Sequence, residues 1–165
     1  MTSEPRWAGA SAAWFGSSLL ESSPFNTAWR REKGALWDLG PHLVSVLWEL
    51  LGPVTSVTAD AGLADTSHLI LHHQGGPTST VTVSQSAAEG ATGFEAYAWG
   101  EAGRSVAPAG TSDPLVPLRT ALAELTGRAR SGLTAHPCDV RFGRDVVRVL
   151  AEAERQIGAR ARPAA

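Results

Sequence analysis

The pattern of apolar and polar positions gives its strongest helix signal over the segment GALWDLGPHLVSVLWELLGP, residues 34–53. Five apolar residues there are spaced three and four apart and form one stripe, namely Leu39, Leu43, Val46, Leu47 and Leu50. Such spacing is typical of a helix that buries one face. Pro41 is tolerated only in a first turn, where its missing N–H is not needed, and Gly52-Pro53 is a stop signal. The pattern therefore predicts a helix from near Gly40 to Leu51.

Short segments of strand character surround this helix. A first strand is expected over residues 11–20, SAAWFGSSLL, after a flexible leader over residues 1–10. Downstream, turn-forming residues separate five more segments, which are Val54–Ala59, Ser67–His73, Thr78–Ser86, Gly93–Trp99 and Arg104–Ala107. In the third of these, Val81 and Val83 alternate with Thr80, Thr82 and Ser84. One face of the sheet should therefore meet helices, while the other is small and polar.

Two further helices are predicted near the end of the chain. Ser112 or Asp113 can cap the first, with Pro114 at its first position and an apolar face made of Leu115, Leu118, Leu122 and Leu125. The second should run from about Asp139 to Gly158, with an inward face made of Val140, Val146, Val147, Leu150 and Ile157. Residues 161–165 should fray.

This order of elements predicts an α+β domain over residues 11–160. Successive hairpins favour a largely antiparallel β-sheet, with helices packed on one face and the open face available for oligomerisation. We expect a homodimer through the polar face that carries Thr80, Thr82 and Ser84.

Composition narrows the class of protein. The 165 residues carry 14 Lys and Arg against 16 Asp and Glu, a formal charge of −2, and 43% are apolar. This is enough apolar material for a core and too little net charge for a disordered chain. Without a basic stripe, nucleic acid is not an expected partner. No run approaches the ~20 apolar residues of a membrane span, and residues 1–10 lack a basic segment followed by an apolar run, so export is not expected. Because Cys138 is the single cysteine, we expect a protein of the reducing cytoplasm.

Asp38 and His42 are the first candidates for chemistry. The ordinary interpretation gives Asp38 a role at the helix start and leaves His42 solvated or hydrogen-bonded. The alternative makes His42 a general acid/base, since imidazole titrates near neutrality. Asp38 would then orient the ring or contact a substrate hydroxyl.

Side chains around this pair could bind a small polar substrate. Trp29 and Trp37 could wall a pocket, and Arg30 and Lys33, with the adjacent Arg31, could bind an anionic or hydroxylated ligand. Alternatively, the basic residues form a solvated loop.

The remaining polar residues give little evidence of a site. His68 and His72 share a strand face without a third ligand nearby, so a metal site is not expected and these are interpreted as polar positions of a hairpin. Near the last helix, Asp139 is expected to cap and His136 to brace the loop, while a Cys138–His136 nucleophile is open but unsupported. The sequence contains no G-x-G-x-x-G, no G-x-x-x-x-G-K-[ST] and no G-x-S-x-G.

Two motifs together resemble a known family. Trp29-Arg30 followed by KGALWDLGPH and, after the helix, LLGPV resembles the start of the C-terminal domain of Gfo/Idh/MocA oxidoreductases, with its G-A-L-x-D-x-G-x-H signature. The stretch SGLTAHPCDVRFGRDVVRVLAEAE, residues 131–154, resembles the closing segment of the same domain.

The resemblance implies substrate binding for Asp38 and proton transfer for His42. In that family an N-terminal Rossmann domain binds NAD or NADP and supplies the lysine of an E-K-P motif. The present sequence has neither the motif nor such a domain, so we expect no cofactor to be bound by this chain alone.

Three functions follow as hypotheses. In the first, the chain is a substrate-binding and oligomerisation domain, of native or truncated length, that is redox-active only with a separate Rossmann-domain chain or not at all. Alternatively, it is a cofactor-free acid/base enzyme of isomerase, lyase or cyclase type, with His42 as proton carrier. In the third hypothesis it is a non-catalytic scaffold or binding partner.

Overall fold

The computed structural model describes residues 6–107, 113, 115–133 and 135–160. These residues form six strands and four α-helices, with a 3₁₀ turn at Glu89–Ala91. In chain order the elements are β1 (Trp7–Phe15), α1 (Ala28–Asp38), α2 (Gly40–Leu51), β2 (Val54–Ala61), β3 (Ser67–His73), β4 (Thr78–Ser84), β5 (Gly93–Gly100), β6 (Gly103–Val106), α3 (Leu115–Arg130) and α4 (Val140–Arg160).

The chain divides into two compact units. Among the described residues, 6–107 and 146–160 form the first unit, which contains the sheet, α1, α2 and most of α4. Residues between 113 and 145 form the second unit, which contains α3 and the start of α4.

The six strands form one sheet in the order β2-β3-β4-β1-β5-β6. β1 pairs in parallel with β4, and the other four pairs are antiparallel. β1 is the first strand of the chain, and the later strands β4 and β5 pair with it on either side, so β1 is a central strand. The predicted α+β class with a largely antiparallel sheet is confirmed.

One face of the sheet, here called the covered face, packs against helices. α2 contacts β1 and β4, α1 contacts β4, and Gln156 of α4 bonds to the backbone of β2. The strands contribute alternating small and aliphatic side chains to this core, all of them buried, namely Ala10, Ala12, Val57, Ala59, Leu69, Leu71, Val81, Val83, Ala96 and Ala98. From the helices, Leu43, Leu47 and Leu150 are fully buried, each worth about 1.5–3 kcal/mol of transfer free energy.

A glycine permits close approach of two of these helices. A Cβ atom added at Gly40 would lie 2.9 Å from Cδ2 of Leu150. A larger residue at the start of α2 would therefore force the buried Leu150 side chain, or the helix that carries it, to shift.

The other face, here called the open face, carries the alternate residues of each strand. It includes Ser11, Thr58, Asp60, His68, Ile70, His72, Thr80, Thr82, Tyr97 and Trp99. Across it, the Thr80 hydroxyl donates to Oγ of Ser11 at 3.0 Å, and the Arg104 guanidinium lies 4.0 Å from the centre of the Tyr97 ring.

Several sequence predictions need correction. The leader is shorter than residues 1–10, because β1 begins at Trp7, and this strand ends at Phe15 instead of residue 20. Helix α1 was not predicted at all. Ser84 does not belong to the polar open face, because it is 6% exposed and its hydroxyl bonds to Asp65.

The inward face of α4 is also corrected. Val140 and Val147 are 85% and 50% exposed, and the buried residues are Val146, Val149, Leu150 and Ala153. Their spacing of three, one and three residues gives a single helical stripe to which Val147 does not belong. Ser112, Pro114 and the expected tail over 161–165 lie outside the described residues, while Asp113 Oδ1 accepts from the backbone N–H of Leu115 at 2.9 Å.

Candidate functional site

The residues predicted to carry chemistry lie where α1 meets α2. Asp38 is the last residue of α1 and His42 is in the first turn of α2, with Leu39 as the shared cap residue. α2 has no side-chain cap, so the expected role of Asp38 at a helix start is wrong. Pro41 lies in the first turn, as predicted. The orientation of this turn is set by contacts of the neighbouring residues.

A break inside α1 sets the direction from which Asp38 reaches the junction. Gly34 has φ 62° and ψ −171°, a conformation that only glycine adopts without strain. The second half of α1 starts at Ala35, whose backbone N–H donates to Oδ2 of Asp65 at 3.1 Å. Asp65 lies in the turn between β2 and β3 and therefore acts as the cap of this half-helix.

The carboxylate of Asp38 is held by two side chains. Arg30 donates from Nε to Oδ2 at 2.8 Å and from Nη2 to Oδ1 at 3.4 Å. Gln85, which follows β4, donates from Nε2 to Oδ2. The side chains of Arg30 and Asp38 are 29% and 15% exposed, so the ion pair is largely sheltered. Charge-assisted, nearly bidentate pairs of this kind fix the direction of a carboxylate.

His42 has a different environment, since its side chain is exposed. Its ring lies 5.6 Å from that of Trp14 on β1, tilted by 55°. Trp14 in turn meets Phe94 of β5 edge to face at 5.7 Å. An aromatic floor thus supports one side of the imidazole while solvent reaches it, which suits a group that exchanges protons with a bound molecule.

The other predicted substrate-binding residues are not all brought together. Trp29 is 50% exposed, and Lys33 lies 3.7 Å from Glu32 on α1. Trp37 donates from Nε1 to Oε1 of Glu154 on α4 at 2.8 Å, so its indole N–H is used to join two helices. The basic residues lie on α1 and do not form the solvated loop proposed as the alternative.

Sequence reasoning missed three residues that contact this site. None of Trp14, Asp65 and Gln85 was predicted to lie at the site. Asp65 accepts from Ser84 Oγ at 2.9 Å and from the backbone N–H of Gln85 at 2.9 Å. No local signal marks these residues, because Asp65 lies 30 positions from Ala35 and Gln85 lies 47 positions from Asp38 in sequence.

The weaker candidates have structural roles. His68 Nδ1 lies 3.1 Å from the hydroxyl of Thr82 on the neighbouring strand, as expected for a polar position of a hairpin. Asp139 caps α4 through the N–H groups of Arg141 and Phe142, at 2.8 and 3.2 Å. These backbone bonds, that of Phe142 first, lower the pKa of Asp139. His136 accepts from the N–H of Cys138 at 2.9 Å, which confirms its bracing of the loop.

Within the described residues, no three His, Cys, Asp or Glu side chains are grouped so that they could hold a metal ion. None of the described helices is both long and apolar enough to cross a membrane.

The model of one protein family, the GFO/IDH/MocA C-terminal domain, matches residues 4–106. This range covers the site and the whole sheet. The chain belongs to this family. The resemblance drawn from Trp29-Arg30, KGALWDLGPH and LLGPV is therefore confirmed, while the second motif, residues 131–154, lies beyond the matched range.

Solved structures of oxidoreductases share the fold of this family member. An NAD-binding oxidoreductase from Klebsiella pneumoniae has a TM-score of 0.70 at 17% identity and covers 96% of this chain and 58% of its own. GenD2 from gentamicin A biosynthesis, in complex with NAD, has a TM-score of 0.67 at 18% identity, with 92% and 53% covered. The WlbA dehydrogenase from Bordetella pertussis, in complex with NADH and UDP-GlcNAcA, has a TM-score of 0.65 at 19% identity, with 94% and 56% covered.

The chain thus spans a little over half the length of these structures. No curated protein matches it in sequence. At these identities the structures show a shared fold, and function has to be argued from the site.

The part of the chain that the structure describes contains no glycine-rich turn of the Rossmann type, the arrangement that holds a nicotinamide dinucleotide. Such a cofactor lies at a glycine-rich turn between a strand and a helix of a parallel sheet. In the part of the chain that the structure describes, the single parallel strand pair is β1 with β4. The segment that leaves β1 toward α1, GSSLLESSPFNT, contains one glycine.

Proposed function

We propose that this chain is the substrate-binding and oligomerisation domain of an NAD(P)-dependent oxidoreductase and transfers no hydride by itself. The observation that carries the proposal is the contrast within D-x-G-x-H, where Asp38 is held by Arg30 and Gln85 while His42, four residues later, is exposed. This arrangement supplies a fixed polar group and a proton carrier at one junction of two helices.

His42 is proposed to take the proton from a substrate hydroxyl, or to return it in the reverse direction. The imidazole is free to reach solvent and lies over Trp14, which limits how far the ring can turn. Asp38, with its carboxylate direction set by Arg30, is proposed to contact a second polar group of the substrate. These residues account for the proton and for orientation only.

The electron carrier is proposed to be bound elsewhere. Because the described residues contain no glycine-rich turn of the Rossmann type, the nucleotide-binding domain is proposed to come from another chain or from another part of the same polypeptide. Hydride transfer requires the reacting carbons to be held about 3–3.5 Å apart, which this domain alone does not accomplish. The single cysteine supports a cytoplasmic setting for the assembly.

Oligomerisation is proposed to use the open face. Two apolar side chains there are exposed, Ile70 (46%) between Thr58 and Thr80, and Trp99 (42%) beside Tyr97. A second copy of the face would bury the apolar groups if the hydroxyls stay hydrogen-bonded. Ile70→Arg should therefore give a monomer in sedimentation experiments, whereas Leu63→Arg, at a 90% exposed residue of the β2–β3 turn, should not. A monomeric parent protein would contradict this part of the proposal.

The substrate role is tested with small sugars followed by NMR of the imidazole signals. Levoglucosan and a UDP-linked sugar acid are suitable probes, since solved structures of the same fold contain them. Binding should shift the signals of His42 and leave those of His68 on the open face unchanged. Asp38→Asn should weaken binding, and His42→Ala should leave the fold intact. Shifts at His68 alone would contradict the proposed site.

The absence of independent hydride transfer is tested by adding NAD or NADP with the same probes to the purified chain. No nicotinamide reduction and no energy transfer from tryptophan to NADH are expected. Reduction by the purified chain alone would contradict the proposal. Turnover without nucleotide that disappears in His42→Ala would instead support the cofactor-free enzyme.

A further inference from the structure

Gln85 is a buried polar residue that joins three separate segments of the chain. It is 4% exposed and follows β4. Its carbonyl group accepts from the N–H of Leu19, and its side-chain oxygen accepts from the N–H of Ser18 at 3.4 Å. Its side-chain nitrogen donates to Asp38. The amide therefore links the loop after β1 to the end of α1.

The chemistry of its partners fixes the orientation of this amide. A backbone N–H can only donate, so it requires the oxygen of Gln85, and an ionised carboxylate can only accept, so it requires the nitrogen. Rotation of the amide by half a turn would place two acceptors together at Asp38 and two donors together at Ser18. Gln85 thus presents its N–H to Asp38 from one fixed direction.

Gly16 leaves the space in which the amide lies. A Cβ atom added at this glycine would overlap Oε1 of Gln85. The absence of a side chain at Gly16 therefore permits the position of the Gln85 amide, in addition to the path of the loop.

Asp65 fixes the backbone on both sides of this contact. One carboxylate accepts from the N–H of Gln85 at 2.9 Å, from the Ser84 hydroxyl at 2.9 Å and from the N–H of Ala35 at 3.1 Å. It therefore holds the residue that contacts Asp38 and the half-helix that carries Asp38. The two ends of the Gln85–Asp38 bond are set by one side chain.

We propose that Gln85 and Asp65 are positioning residues for Asp38. Asp65 fixes the backbone from which Gln85 extends, and Gln85 fixes the carboxylate of Asp38 from the buried side. Arg30 approaches the same carboxylate on a longer, more exposed side chain, so it supplies charge while Gln85 supplies rigidity. The functional weight of this inference rests on the proposed role of Asp38 in substrate binding.

The test uses the Nε–H proton of Arg30 as a reporter of how well Asp38 is held. Its exchange with solvent is compared with that of the Trp37 Nε1–H, which bonds to Glu154 in the same unit. In Gln85→Leu the Arg30 proton should exchange roughly three- to tenfold faster relative to Trp37, as expected for losing one hydrogen bond to the carboxylate. Gly16→Ala, which displaces the amide without altering it, should produce the same signature.

Gln156→Leu is the matched control. Gln156 also joins a helix to a strand, through Val57 and Ala59 at 2.9 Å each, but has no contact with Asp38. This variant should lower stability and leave the Arg30 to Trp37 exchange ratio within about twofold of the parent value. Equal acceleration of both protons in Gln85→Leu and in Gly16→Ala would show a purely structural role and overturn the inference.

The outcome is independent of the proposed function. The exchange measurement needs no ligand, so failure of sugars to bind at His42 would leave the positioning inference standing. Conversely, an unchanged ratio in both variants would overturn the inference while sugar binding remained. If sugars do bind, Gln85→Leu should weaken their binding as Asp38→Asn does, whereas Gln156→Leu should leave it unchanged.

Discussion

The two faces of the sheet place adjacent residues of one strand in opposite environments. On β3, Leu69, Leu71 and His73 point to the covered face and are 2%, 0% and 3% exposed. His68 and His72 point to the open face and are exposed. On the covered face even a polar ring must find partners, and His73 bonds to the carbonyl group of Gly52 and to the Ser79 hydroxyl, each at 2.8 Å.

This difference distinguishes the face that stabilises the fold from the face that is proposed to associate. The covered face determines the fold through close packing, and the candidate site lies at its rim, where α1 and α2 meet the ends of β1 and β4. The open face contributes little to the fold of one chain, so it is free to accept another surface.

The largest expected effect separates the two faces at neighbouring residues. Leu71→Ala should lower the free energy of unfolding by about 2–5 kcal/mol, because it leaves a cavity in the fully buried core. Ile70→Ala, on the open face, should lower the free energy of unfolding by about 1 kcal/mol or less. Urea denaturation of both variants measures the difference.

Protein concentration sharpens this comparison. If the open face binds a second copy, the cost of Ile70→Ala should grow as concentration rises, since association stabilises the folded state by mass action. Leu71→Ala should lower the free energy of unfolding of the monomer by a large amount at every protein concentration. Equal costs for the two variants would show that the faces are not distinct in the way described.

The next largest effect concerns the helix layer over the covered face. Gly34→Ala should destabilise by about 1–3 kcal/mol, because alanine is strained at φ 62° and ψ −171°. The nearest atom to an added Cβ, in Asp65, is 3.7 Å away, so the cost comes from the backbone and not from a clash. Thermal denaturation provides the measurement.

Gly158→Ala is the control for this substitution. It lies within α4 with nothing near an added Cβ, and alanine there should stabilise the helix by about 0.5–1 kcal/mol. The two glycine-to-alanine changes should therefore have opposite signs. A neutral Gly34→Ala would mean that α1 can continue without its break.

A third effect depends on pH and distinguishes His73 from its neighbour. Burial lowers the pKa of His73, and the charge of His72 adds to this, while the bond to Gly52 opposes it. The folded protein therefore binds this proton less readily than the unfolded chain, whose histidine pKa is about 6.5. Stability from this group is complete above that value and is lost as the pH falls toward the lower folded pKa.

The slope of stability against pH measures this group. Below about pH 6.5 the contribution of His73 to the slope of the unfolding free energy against pH should approach, but not exceed, about 1.4 kcal/mol per pH unit. His73→Gln should remove that part of the slope, whereas His72→Gln, on the open face, should retain most of it and lose only the part that the charge of His72 contributes. Identical slopes for the parent and His73→Gln would contradict the assignment of a neutral, buried ring.

Much of the covered face could be predicted from sequence because its signals are local. Alternation in β3 and β4 and the stripe of α2 are repeated within a few residues, and these elements were located to within about two residues. The bounds of β1 were predicted wrongly because WAGASAAWF is rich in small residues. The alternation of its side chains between the two faces is recognisable only once strands lie on both sides of it.

The site was only half predictable for a related reason. Asp38 and His42 are visible in a short motif, but α1 carries the charged run RREK and is broken at Gly34, so no apolar stripe predicted it. Its second half depends on Asp65, 30 residues away, and Asp38 depends on Gln85, 47 residues away. Such contacts are products of topology, which local spacing does not encode.

The smallest effect lies where the two faces meet at the sheet edge. Arg160, the last residue of α4, reaches around to Asp60 on the open face of β2, with Nη1 and Oδ2 2.7 Å apart. The side chains are 53% and 60% exposed, so solvent and salt screen the pair. A double-mutant cycle with Asp60→Asn and Arg160→Gln should give a coupling energy of about 0.2–1 kcal/mol that falls as salt is added. Coupling that instead increases with protein concentration would place this edge inside the proposed interface.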